Sequence, residues 1–354
     1  MKTFFSEKHR LHAPAKEFLD GALVDVFESP RRAEMVLRAV QAAALGLIEA
    51  PRDFGSAPIE AIHDAGYLAF LRTAHARWIA EGRPADAVYP DTFFKSQHRH
   101  RSQNIGAQAG IYVMDMSAPI TAGTWEAAYW SAQIALSAAN EVRGGARAAF
   151  GLCRPPGHHA HVDMAGGYCY LNNAAIAAQF LRDVGAARVS VLDVDVHHGN
   201  GTQEIFYARD DVQFVSLHGD PDWQYPYFLG TNNERGAEHG LGHTHNHPLP
   251  RGADNAQWLA ELESACAEIT VFAPQTLVVS LGVDTFRDDP LGGMGLDEGG
   301  FNALGARIAQ LRLPTVFLLE GGYAIEALGD NVVRVLKSFN DSCQYGSVAK
   351  HRFS

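Results

Sequence analysis

Arg188-Val189-Ser190-Val191-Leu192-Asp193-Val194-Asp195-Val196-His197-His198-Gly199-Asn200-Gly201-Thr202 begins as an apolar run and ends in acids, histidines and glycines. The run is apolar on both faces, as expected of a strand inside a parallel sheet covered on both sides. Asp193, Asp195 and His197 follow at i, i+2 and i+4, which on a strand places all three on one face. Burying several charges without a counter-charge costs many kcal/mol, and a metal cation would offset that cost. The same design recurs along the chain. Residues 146–153 lead into Arg154-Pro155-Pro156-Gly157-His158-His159, and 212–217 into His218-Gly219-Asp220. Residues 276–283 lead into Asp284, and 315–319 into Glu320-Gly321-Gly322-Tyr323.

Helical apolar spacing marks residues 31–47, 59–80, 124–143, 172–184, 256–271, 296–310 and 326–339. Residues 2–6 read as a further strand. Strands alternating with helices predict one α/β domain over 1–354, built on a central, mostly parallel sheet flanked by helices. Its active site would lie at the carboxyl ends of the strands. Residues 81–101, with Tyr89-Pro90-Asp91-Thr92-Phe93-Phe94, lack periodicity and read as a long loop with a binding, gating or oligomerisation role. The histidine-dense stretch 238–247 reads as a surface loop, and the tail from Asn340 onward as partly disordered.

Composition narrows the function classes. The 354 residues carry 29 Lys+Arg against 40 Asp+Glu, a net charge of −11, which disfavours non-specific nucleic-acid binding. No apolar run reaches the roughly 18 residues of a membrane helix, and the amino terminus meets charge too early for a signal peptide. Four cysteines without a CxxC are too sparse for a disulfide scaffold. A reduced, cytoplasmic protein is expected.

With Asp284 added, the strand ends hold a set suited to Zn²⁺: Asp195, His197 and Asp284, leaving a position for water or substrate. Asp193 would then support a histidine or bind another cation. His158 and His159 follow a rigid proline turn; beside a catalytic metal, one can take a proton and the other hold one, tuned by Asp193 or Asn200. Tyr323, after two glycines, can hydrogen-bond a developing oxyanion. Neither a phosphate-binding glycine motif nor a G-x-S-x-G serine setting occurs.

Arg154–His159, Gly166-Gly167-Tyr168-Cys169-Tyr170-Leu171-Asn172-Asn173, Asp193–Thr202 and Glu320–Tyr323 together resemble the arginase/histone deacetylase superfamily. Within it, the chain is most similar to the bacterial acetylpolyamine amidohydrolases, the histone deacetylase-like amidohydrolases. The resemblance implies one catalytic Zn²⁺ per subunit on Asp195, His197 and Asp284. It implies His159 as general base and acid, His158 as electrostatic partner, Tyr323 as carbonyl polariser, and Asp193 and Asn200 as supports of the two histidines. It also implies two structural K⁺ ions, one on Asp193, Asp195, His197, Ser216 and Leu217, the other around Phe206, Arg209 and Val212. Gly167, Tyr168, Cys169 and Tyr225 would shape a substrate channel. Loop 81–101 would narrow that channel and help form a homodimer. No glutamate stands at Gly106 or Ser117 to hold a distal amine, so Asp91, Asp115 and Asp222 are the acidic candidates.

The function so implied is zinc-dependent hydrolysis of acetylated polyamines or diamines, such as acetylputrescine, acetylcadaverine and acetylspermidine, with no nucleic-acid or membrane partner. An acetyl-lysine or small-amide deacylase of the same fold and a non-enzymatic acetylamine-binding module are the alternatives. A binuclear ureohydrolase is disfavoured, because only one Asp/His/Asp ligand set is evident.

Overall fold

The computed structural model describes residues 1–93 and 102–348. In chain order the elements are β1 (Lys2–Phe4), β2 (Lys16–Leu19), β3 (Ala22–Asp25), α1 (Pro30–Ala42), β4 (Ile48–Glu49), α2 (Ala57–Glu60) and α3 (Ala65–Ala80). Then follow α4 (Ile105–Tyr112), α5 (Thr124–Arg143), β5 (Ala148–Gly151), α6 (Asn173–Asp183), β6 (Val189–Asp193) and α7 (Asn200–Phe206). The chain continues with β7 (Val212–Gly219), β8 (Thr244–Leu249), α8 (Asn255–Phe272), β9 (Thr276–Leu281), α9 (Glu298–Gln310), β10 (Thr315–Leu319) and α10 (Ile325–Val348).

Eight strands form one sheet in the order β4-β1-β5-β10-β9-β6-β7-β8, and each of these pairings is parallel. The double-sided apolar runs have a direct explanation in the core. Val191, Val278, Val316 and Leu318 pack into one hydrophobic layer with residues of α5 and α6. Their chain neighbours Leu192, Val279, Phe317 and Leu319 pack into the opposite layer with residues of α1, α8, α9 and α10. Alternate residues of a strand point to opposite faces, so a sheet buried on both sides needs apolar residues at every position.

Helix starts follow local chemistry. Asp64 caps α3, Asn172 caps α6 and Asp297 caps α9; Asp254 and Gln257 form a capping box on α8. Several boundaries differ from the sequence reading. The helix expected over 59–80 is two helices, α2 and α3, because Asp64 caps a fresh start. The expected 31–47 helix ends at Ala42. Helix α4 and the antiparallel β2–β3 hairpin were unforeseen.

Two corrections are larger. The histidine-dense stretch expected as a surface loop holds the edge strand β8, paired in parallel with β7. The tail expected to be partly disordered from Asn340 continues as α10 to Val348, with Cys343 buried, while residues 349–354 lie outside the described residues. Residues 94–101 of the expected 81–101 loop lie outside the described residues. Within 81–93, Val88 is buried and bridges Ile120.

Candidate active site

Sheet register sets the floor of the site. Asp193 closes β6 level with Ser216 of β7 and Ser280 of β9, and Leu319 of β10 lies level with Leu281 of β9. The chains that leave these strands therefore meet above one edge of the sheet. Asp195 and His197 lie beyond the end of β6, so the strand-face expectation is corrected: a turn holds them, not a strand. In that turn Asp193 Oδ1 accepts the Asp195 N–H at 3.2 Å and Asp195 Oδ1 accepts the His197 N–H at 2.9 Å. Val194 and Val196 still face the hydrophobic layer below, the Val194 N–H donates to the Ser280 carbonyl at 3.1 Å and the Val196 carbonyl accepts the Gly219 N–H at 2.8 Å, so alternation survives past the last strand residue.

Asp195, His197 and Asp284 come together, all buried, with ligand atoms within 4.8 Å of one another. His197 Nδ1 is 3.0 Å from Asp195 Oδ1 and 3.3 Å from Asp284 Oδ2. Asp284 Oδ1 accepts the Val196 N–H at 2.9 Å, whereas its buried Oδ2 has no hydrogen-bond donor. Asp195 Oδ2 accepts the Gly321 N–H at 2.7 Å. A Cβ at Gly321 would collide with both carboxylates, so only glycine lets the loop after β10 lie against them.

These residues fit a divalent cation. Burial and Asp195 push the Asp284 carboxyl up to about 7. Burial alone would strip charge from His197, yet Asp195 and Asp284 outweigh it and raise the imidazole to about 10. The cluster is thus a place where positive charge is stabilised and one carboxylate oxygen is left over. An Asp/His/Asp donor set suits zinc.

The paired histidines differ in environment. Burial opposes a charge on His158, but Asp193, 3.0 Å from Nδ1, and Asp195 raise it to about 10. His159, 4.0 Å away between ring centroids, is pushed well below 6.5 by burial and by His158 and His197. Its Nδ1 lies 2.6 Å from Asn200 Oδ1. Glu320 accepts the backbone N–H of Gly157 at 2.6 Å and of His158 at 3.2 Å, anchoring this turn. His158, Cys169 and Glu320 also cluster, but the Glu320 oxygens already serve Gly157, His158 and Ser280.

Tyr323 closes the site. Its backbone N–H is held by Asp289 Oδ2 at 2.6 Å, and Arg32 lies 4.7 Å from its ring centroid while donating to the carbonyls of Gly322 and Glu320. Burial raises its hydroxyl well above 10, so it stays a donor.

A cavity of about 760 Å³ opens above these groups, lined by His159, His197 and Tyr323 at one end and by Gly167, Tyr168 and Tyr225 along its walls. Asp115 ties the walls together: its Oδ2 accepts the Tyr225 hydroxyl at 2.5 Å and the Gly167 N–H at 2.9 Å. Of the three acidic candidates, Asp115 lines the cavity; Asp91 and Asp222 do not, and Asp20 from the β2–β3 turn does. Cys169, expected on the channel, is buried behind it, with Sγ against the Gly167 carbonyl. Phe18, Phe93, Tyr227 and Phe228 rim the mouth and are 37%, 44%, 56% and 90% exposed.

Ser216 and Leu217, named as potassium ligands, are buried on β7, with Ser216 Oγ 2.8 Å from His218 Nδ1. Phe206 is buried at the end of α7, Val212 is buried at the start of β7, and the Arg209 guanidinium pairs with Asp211 at 2.8 Å. Sequence reasoning missed Arg32, Asp115's clamp and Asp289. Each acts across a long sequence separation or through a backbone amide, and neither leaves a motif.

Comparison with known proteins agrees with the site. Residues 26–339 match the model of the histone deacetylase domain family. The chain is 51% identical over 348 residues to acetylpolyamine amidohydrolase 1 of Pseudomonas aeruginosa, covering 97% of this chain and 100% of that one. It is 49% identical over 339 residues to acetylpolyamine amidohydrolase 2 of the same organism, covering 96% and 98%. The crystal structure of an acetylpolyamine aminohydrolase from Burkholderia pseudomallei superposes with a TM-score of 0.92 at 48% identity, covering 96% and 98%.

Proposed function

The chain belongs to the histone deacetylase domain family, within the arginase/deacetylase superfamily, and on that premise we propose that it hydrolyses N-acetylated polyamines and diamines to free amine and acetate. It is a metal-dependent amidohydrolase. The observation that carries the substrate class is the juxtaposition of the Asp195/His197/Asp284 cluster with His159 and Tyr323 at the end of an aromatic-walled cavity.

Asp195, His197 and Asp284 would hold zinc, which when bound would supply Lewis-acid chemistry toward the acetamide carbonyl and water. His159, kept neutral, takes a proton from the attacking water as the C–O bond forms and returns it to the leaving amine as the C–N bond breaks. His158, kept protonated by Asp193, adds positive charge beside the developing oxyanion. The Tyr323 hydroxyl donates to that oxyanion. Tyr168 and Tyr225 bury the methylene chain, each CH₂ contributing about 0.8 kcal/mol.

The finer points belong to the same proposal. The chain forms one catalytic domain over 1–354, with 81–101 shaping access. The exposed aromatic rim is covered by a second copy of the chain, which narrows the mouth against folded protein tails. Potassium occupies the two sites on Asp193, Asp195, His197, Ser216 and Leu217 and around Phe206, Arg209 and Val212; the excess of buried carboxylates beneath the cluster supports the first. Among the described residues no helix is long and apolar enough to cross a membrane. The four cysteines are free and buried, in keeping with a cytoplasmic location.

The test is acetate release from acetylputrescine, acetylcadaverine, acetylspermidine and an acetyl-lysine peptide, with metal-stripped protein and with protein given one equivalent of Zn²⁺. Turnover restored by zinc and favouring the small amines supports the proposal. Equal or faster peptide turnover points to a broader deacylase, and tight binding without acetate points to a binding module.

A further inference from the structure

His159 serves as a base only if its Nε2 lacks the proton, that is, if Nδ1 carries it. Its partner Asn200 does not enforce this alone, since an amide presents either an oxygen or an NH₂ group. With the oxygen toward His159, Nδ1 must donate; turned over, the NH₂ group would demand a bare Nδ1 and leave the proton on Nε2, disabling the base.

What decides the orientation lies on the far side of the amide. Asn200 Nδ2 is 2.8 Å from His161 Nε2 and 3.7 Å from Met114 Sδ; the thioether can only accept, and the imidazole nitrogen accepts when His161 carries its proton on Nδ1. Burial lowers His161 to about 4, so it is neutral at ordinary pH, and its Nδ1–H tautomer leaves Nε2 as the acceptor that the amide meets. Turning the amide would aim Oδ1 at the lone pairs of nitrogen and sulfur. The His161 backbone is pinned by its N–H to the Met164 carbonyl at 2.9 Å, which fixes where its ring can reach.

We propose that His161 is a positioning residue: by accepting from the Asn200 amide it selects the Nδ1–H tautomer of His159, through a chain His161–Asn200–His159 with contacts of 2.8 and 2.6 Å. The inference rests on the reading of His159 as the base.

The experiment is a two-by-two set on the full chain with zinc: wild type, His161→Phe, Asn200→Asp and the double variant. An aspartate offers oxygen in both orientations and needs no selector. His161→Phe lowers kcat roughly tenfold or more with KM within about twofold, whereas in the Asn200→Asp background it changes kcat less than about twofold. Long-range ¹H–¹⁵N correlations of labelled histidine place the His159 proton on Nδ1 in wild type, partly on Nε2 in His161→Phe, and back on Nδ1 in the double variant. His161→Ala repeats the set if the phenylalanine variant does not fold. An unchanged tautomer in His161→Phe overturns the proposal, as does an equal loss of kcat in both backgrounds. Wild type without acetate release defeats the catalytic reading alone, because the nitrogen correlations still decide the tautomer.

Discussion

At the scale of single residues, the site works by opposed environments for like groups. His158 and His159 are neighbours in sequence and 4.0 Å apart as rings, yet Asp193 and Asp195 hold one charged while burial keeps the other neutral. Backbone amides matter as much as side chains. Asp289, 8% exposed, accepts the N–H groups of Tyr323 at 2.6 Å and Ala324 at 3.0 Å, fixing the loop that presents the tyrosine. Asp289→Ala leaves both amides to find new partners and shifts the hydroxyl. The expected result is a roughly tenfold to hundredfold fall in kcat for acetate release with little change in KM. Steady-state kinetics beside Tyr323→Phe check it, and an intact kcat would show that Tyr323 needs no such anchor.

At the scale of elements, β8 and α8 show how a polar sequence makes an edge strand. His245 and His247, two apart on β8, meet Glu268 and Glu261 of α8 at 2.9–3.1 Å. Burial would raise the Glu268 carboxyl, but hydrogen bonds from His245 and His247 hold it at about 2. Burial would likewise lower His247, and its two glutamates raise it above 6.5. The signs then follow from linkage. The raised His247 stabilises the fold in full below 6.5 and loses that contribution as pH climbs through its folded value. The depressed Glu268 stabilises it above 4.5 and loses that contribution as pH falls toward about 2. His247→Gln should therefore cost most near pH 5 to 6, at most about 1 kcal/mol because the pairs are part-exposed. Denaturant unfolding from pH 5 to 9 tests this; a constant difference across the range would exclude an ionic role.

At the scale of the whole molecule, two expectations follow from buried charge and exposed apolar surface. Zinc binds the folded cluster more tightly than the unfolded chain, so it raises Tm in proportion to RT ln(1 + [Zn²⁺]/Kd), about 2.7 kcal/mol at a hundredfold excess over Kd. Stripping metal lowers Tm, and Asp284→Ala removes the zinc response; calorimetry with and without chelator measures both. The apolar rim is the second case, because exposed aromatics rarely stay unpartnered on a monomer. On the proposed pairing through this rim, Phe228→Asp should give a monomer by light scattering and speed turnover of an acetyl-lysine peptide relative to small amines. An unchanged mass would remove Phe228 from the interface.

The sequence by itself determined the parallel sheet and the chemistry at its edge. Runs apolar at every position can be satisfied only by a sheet covered on both faces, and the acids and histidines follow those runs directly, so both are written in local order. It also carried Asp195, His197, Asp284, His158, His159 and Tyr323 through motifs. Only the tertiary structure decided that a turn rather than a strand presents Asp195 and His197, that β8 is a strand, and that α10 continues past Asn340. It alone brought Asp289 to Tyr323, Asp115 to Tyr225 and Gly167, and His161 to Asn200. The physical reason is range. Periodicity records which face of an element is buried, whereas a hydrogen bond between distant side chains or to a backbone amide depends on where whole elements are placed, and no spacing in the chain encodes that.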